Sequence, residues 1–148
     1  MCSYIEKIDK LVEKECFIID FLPKTVPVTS KGYFFEVEDY LLNNKNHNKF
    51  YKKKFERIIL KLMCYYNVKI YYLDKLIEKP KPKLIKKLID DLKNNLKCDL
   101  NLIFNDEFLL VVKEQTLFLE FYNLSEEVMD LLDKISLSEG MFFRKGVK

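Results

Sequence analysis

The chain is poor in the two residues from which most nucleotide loops and acid–base sites are built: three glycines and one histidine in 148 residues. Glycine lets backbone approach a phosphate, or take a positive φ, at no steric cost. Histidine is the side chain whose unperturbed charge change lies nearest neutral pH. An ordinary phosphate cradle is therefore not expected, and none of the patterns G-x-x-x-x-G-K-[ST], G-x-G-x-x-G or G-x-S-x-G occurs. Tryptophan and alanine are absent. No apolar run reaches the roughly 18 residues of a membrane-spanning helix, and the charged, amphipathic start is unlike a secretory signal. Cys2, Cys16, Cys64 and Cys98 are too widely separated for a C-x-x-C or zinc pattern. These absences predict a cytoplasmic protein with reduced thiols, no cofactor, no metal and no membrane partner. Cys16, Cys64 and Cys98 lie beside apolar segments, where a free thiol acts as a small hydrophobe.

What is present is apolar and charged: 49% hydrophobic and 33% charged residues, the balance of a globular protein. The length suits one domain, residues 1–148, large enough to need no disulfide or metal staple. All but two of the 26 basic residues are lysine, the exceptions being Arg57 and Arg144. With alanine missing and isoleucine and asparagine abundant, this points to AT-rich, bacterial coding, so lysine content alone does not argue function. The charge is segregated. Residues 1–44 carry five lysines against eight acids, a net of −3; residues 45–97 carry sixteen bases against five acids, a net of +11. Residues 98–148 return to −5, with five bases against ten acids.

Periodicity predicts the elements. Tyr4, Ile5, Ile8, Leu11 and Val12 mark an amphipathic helix over 3–14. A strand follows over 16–22, ended by Pro23, and then a loop to Gly32. Residues 33–42 read as a short helix through Phe34, Val37 and Leu41, with a strand over Tyr33–Val37 as the alternative, and 43–48 as a polar linker containing His47. Phe55, Ile58, Ile59, Leu62 and Tyr66 form the apolar stripe of a helix over 49–66. A strand over 68–73 and a helix over 82–96, opened by proline, come next. From Cys98 the period changes to two, giving a three-stranded meander through Leu100–Phe104, Phe108–Val112 and Thr116–Tyr122. Asn105 and Asp106 suit its first turn because both tolerate positive φ. Ser125 caps a helix to 136, and Met141–Arg144 is a last short strand. The fold class is α+β: a largely antiparallel sheet of about five or six strands packed with about five helices.

Four groups of residues could carry function. His47, among asparagines, reads as an exposed loop residue with nothing to orient it as a base. Glu36, Glu38 and Asp39 with Asp20 could do acid–base work or hold a divalent ion, but in no recognised ligand spacing. Lys52, Lys53, Lys54 and Arg57, near Phe50, Tyr51, Tyr65 and Tyr66, could contact a polyanion such as nucleic acid. Base-reading proteins favour arginine, which this region has only once. If helices cover the meander on one side only, its other face presents Ile103, Leu109, Val111, Phe118 and Tyr122 with Glu120, an apolar patch with an acidic member. Such a surface suits protein recognition.

The run Phe21-Leu22-Pro23-Lys24-Thr25-Val26-Pro27, the segment Gly32-Tyr33-Phe34-Phe35-Glu36-Val37-Glu38 and the ending Ser138-Glu139-Gly140-Met141-Phe142-Phe143 resemble a family of small uncharacterised bacterial proteins. That group has no established activity, so the resemblance transfers no site residues. It implies a single-domain accessory protein, a class in which toxin-neutralising immunity proteins are common. The expectation is a non-enzymatic protein-interaction module whose partner is another protein. A nucleic-acid-binding protein using residues 45–97 is the first alternative, and an enzyme with an unrecognised carboxylate or thiol site the second.

Overall fold

Strand alternation and helical stripes assemble into one antiparallel sheet and five helices, seen in a computed structural model that describes residues 2–146. The helices are Cys2–Leu11 (α1), Phe34–Asn43 (α2), Lys45–Met63 (α3), Pro82–Asp91 (α4) and Glu126–Ser138 (α5). The strands are Cys16–Asp20 (β1), Val68–Tyr72 (β2), Lys75–Glu78 (β3), Leu100–Phe104 (β4), Phe108–Val112 (β5), Phe118–Tyr122 (β6) and Phe142–Lys145 (β7). Their order is β3-β2-β4-β5-β6-β1-β7, and every neighbouring pair is antiparallel. The fold is α+β, with seven strands where five or six were expected.

Three elements differ most from the sequence expectation, one of them the helix expected over 82–96, which ends at Asp91 and passes into a 3-10 turn over Leu92–Asn94. Strand β3 forms a hairpin with β2, in the register Ile70↔Ile77, through a turn at Leu73 and Asp74. Leucine is not a turn residue, so no turn signal marked it. Helix α3 starts at Lys45, inside the expected linker, because the Asn44 side chain accepts the backbone N–H groups of Asn46 and His47. That satisfies two donors a helix N-terminus otherwise leaves open.

Because strand side chains alternate, the sheet has two apolar faces. On one, Ile19, Ile70, Leu102, Phe104, Phe108, Leu110, Leu119 and Phe121 pack under α3, α4 and α5. The α3 stripe of Phe55, Ile58, Ile59 and Leu62 is buried as its spacing predicts. On the other face lies a smaller cluster, closed by Leu11 with help from Tyr4, Ile8 and Val12. Helix α1 therefore roofs the meander from behind. Helix α2 is the exception to this burial: none of its residues is buried.

Candidate protein-contact surface

The patch expected on the back of the meander lies under α1. Ile103, Leu109, Val111 and Tyr122 are buried there, and Phe118 packs against them half-buried. The chain had one more helix to spend than the one-sided arrangement required. Glu120 sits half-buried at the edge of this cluster, paired with Lys113 at 3.1 Å and accepting the Tyr122 hydroxyl at 2.7 Å. Burial, and then that bond to Glu120, push the Tyr122 hydroxyl well above its ordinary value. While α1 lies on it, this face offers no open apolar surface.

Most of the basic cluster is engaged within the chain as well. Lys52 pairs with Glu114 at 3.0 Å. The Arg57 Nε donates to Glu139 Oε1 at 2.7 Å, and Lys61 Nζ donates to Glu139 Oε2 at 2.6 Å. Lys54 Nζ donates to the Glu139 carbonyl and stands 4.6 Å from the centre of the Phe50 ring. Three of the four proposed polyanion contacts thus hold the C-terminal end of α5 or the β5–β6 turn; Lys53 is exposed. Among the described residues, the charges of Lys52, Lys54 and Arg57 are already matched by carboxylates and a carbonyl of the same chain.

Of the acidic group, the structure brings Asp20 and Glu38 within electrostatic reach and leaves Glu36 and Asp39 on the outside of α2. Asp20 is buried and pairs with Arg144, which also donates to the Thr25 hydroxyl at 2.5 Å and to the Leu22 carbonyl at 3.3 Å. Burial raises the Asp20 carboxyl, with Arg144 and the Phe21 N–H opposing it. Glu38 is raised by partial burial and then by the charge of Asp20. Among the described residues no three His, Cys, Asp or Glu side chains gather as a metal site would require.

His47 is half-buried in α3, its ring 5.5 Å from that of Tyr40. Cys16 is buried and Cys98 half-buried, whereas Cys64 is exposed just past the end of the α3 stripe. The Cys2 side chain lies outside the described residues. A cleft beside Tyr51, Phe55, Ile89 and Thr116 has about 10 Å³ of free room, enough for one water and no substrate.

What stands open is α2. At 100° per residue, Phe34, Glu38 and Leu41 form its inward line, and these three, with Leu42 beside them, are the half-buried ones. Glu36, Asp39 and Asn43 run down the middle of the outward face, all exposed. Phe35, 77% exposed, flanks that line on one side; Tyr33, Val37 and Tyr40, 76%, 45% and 59% exposed, flank it on the other. The His47 contact carries the second flank toward Phe50, also exposed. A shallow open depression lies between Phe35 and Leu42, edged by Glu36, Glu38 and Asp39. The helix is thus an acidic ridge between two apolar sides. It was legible as a helix but not as a surface. Its apolar residues look like core in sequence, and only their spread over more than half of the circumference signals that they cannot all face inward. Comparison with known families, curated proteins and solved structures finds no match for the chain.

Proposed function

We propose that the chain is a non-enzymatic protein-interaction module of the immunity or accessory type, neutralising a partner by surface complementarity and meeting it through α2. One observation carries this reading: a ten-residue helix whose side chains, Asn43 apart, are all apolar or acidic buries none of them. Large aromatic side chains left in water cost solubility unless a partner covers them, and aromatic anchors commonly supply most of an interface's affinity. The ion pairs that tie Lys52 and Arg57 to Glu114 and Glu139 favour this over a nucleic-acid reading. The free thiols of Cys16, Cys64 and Cys98 suit a reducing compartment, and the cytoplasm is the setting proposed.

Affinity capture of the tagged chain from its own cells tests the reading. Wild type is expected to retain a stoichiometric partner, and the Phe35→Ala/Tyr40→Ala variant, with an unchanged circular dichroism spectrum, to lose it. A variant that keeps the partner moves the working surface off α2. A wild type that retains nothing stoichiometric in its native host overturns the proposal.

A further inference from the structure

The most buried of the ion-paired carboxylates meet cations of the same chain: Glu114 with Lys52, Glu120 with Lys113, Glu139 with Arg57 and Lys61, Asp20 with Arg144. Helix α2 holds no such pair. It carries Glu36, Glu38 and Asp39 and no basic residue, and among the described residues none of the three forms an ion pair. Asp39 accepts a hydrogen bond from the Asn43 amide, at 2.8 Å. The central line of the ridge is therefore negative and unneutralised, while its flanks are apolar and exposed.

That pattern has a complement. A lysine or arginine can lay its aliphatic stem on the Phe35 ring and Leu42 while its charged head reaches the carboxylates beside them. Apolar side chains on the opposite flank would cover Val37 and Tyr40 and exclude water from the pairs, which strengthens them. We infer that α2 inserts as a ridge into a groove of the partner protein whose floor is basic and whose walls are apolar. This rests on the reading of α2 as the working surface and adds the partner's chemistry to it. An arriving cation would offset the negative charge of Asp20 that adds to the upward shift of Glu38. Because the whole chain is +3, its overall charge does not draw in a basic partner, and the attraction has to come from this local field.

The test uses the full chain and two amphipathic helical peptides with the same leucines, one carrying lysine and the other glutamate at its polar positions. Fluorescence anisotropy is expected to show the lysine peptide binding at least about tenfold tighter, with affinity falling between roughly 0.05 and 0.5 M salt. Backbone amide shifts should map the contact to residues 33–43. Glu36→Gln/Asp39→Asn should remove most of the preference for lysine, and Phe35→Ala/Tyr40→Ala should weaken both peptides. Equal binding of the two peptides at α2 overturns the basic partner while leaving α2 as the docking surface. Binding of the lysine peptide away from α2, or of neither peptide, overturns the inference outright. So does sedimentation as a dimer that Val37→Glu dissociates, since a second copy would then occupy the face.

Discussion

A single side chain, Glu139, joins two helices that are far apart in sequence. It follows the last residue of α5, where the helix's unpaired carbonyls concentrate negative charge, and three cations of α3 converge there. Lys54, Arg57 and Lys61 stand one α3 turn apart, so one helix face presents all three. Burial by itself would raise the Glu139 carboxyl; the hydrogen bonds from Lys61 and Arg57 outweigh it, and the net shift is downward. A carboxylate with a depressed folded value adds stability that is complete above its unfolded value and is lost as pH falls through the folded one. The side chains of Arg57 and Lys61 are 45% and 41% exposed, so water screens much of the attraction. Glu139→Gln is therefore expected to cost only about 1 kcal/mol at neutral pH. Urea unfolding of both proteins across the acid range should show that gap closing as pH drops. A gap that stays constant with pH would mean the clamp works through packing and neutral hydrogen bonds. This network was hidden in the sequence for a simple reason: α3 shows its charges, but the acid opposite them is 82 positions away from Arg57.

At the scale of elements, the sequence is clearest where local chemistry decides the outcome. Asn105 and Asp106 turn the β4–β5 hairpin with φ of 52° and 56°, as residues tolerant of that region should. Ser125 caps α5 through its side chain, accepting the Val128 N–H. The β2–β3 hairpin makes the same kind of turn with Leu73 at 51° and Asp74 at 60°, and leucine there gave no warning of it. Its energy comes instead from the pairing of Ile70 with Ile77 and from the Tyr71 hydroxyl donating to Asp74 at 3.3 Å. Leu73 is 42% exposed, so its side chain contributes little packing to set against the backbone strain. Leu73→Asn should therefore stabilise the protein by about 0.5–1 kcal/mol, because asparagine relieves the strain and keeps Asp74 in place. A urea or thermal melt reads this directly. A loss of stability would show that the Leu73 side chain holds the turn through contacts stronger than its exposure suggests.

For the whole molecule, the decisive feature is where β1 goes. The meander β4–β5–β6 pairs neighbours in sequence, and its alternation was legible for that reason. Strand β1 instead enters between β6 and β7, pairing Cys16 with Tyr122 and Phe17 with Lys145. No local pattern encodes partners roughly a hundred or more residues away, and neither does one encode that α1 then lies across the back of the sheet. The same separation shapes folding, because closing so long a loop costs entropy before any contact repays it. The meander under α3 and α4 is therefore expected to form the folding nucleus, with β1 inserting after the rate-limiting step. Leu110 and Ile19 are both fully buried on the same face of the sheet, so they report on the two regions from like surroundings. Leu110→Ala should cost about 3 kcal/mol and chiefly slow refolding, with a φ-value of about 0.5 or more. Ile19→Val should cost about 1 kcal/mol and chiefly speed unfolding, with a φ-value below about 0.3. Chevron plots of the two variants against wild type decide it: if Ile19→Val is the one that slows refolding, β1 docks before the barrier and the meander does not nucleate the fold alone.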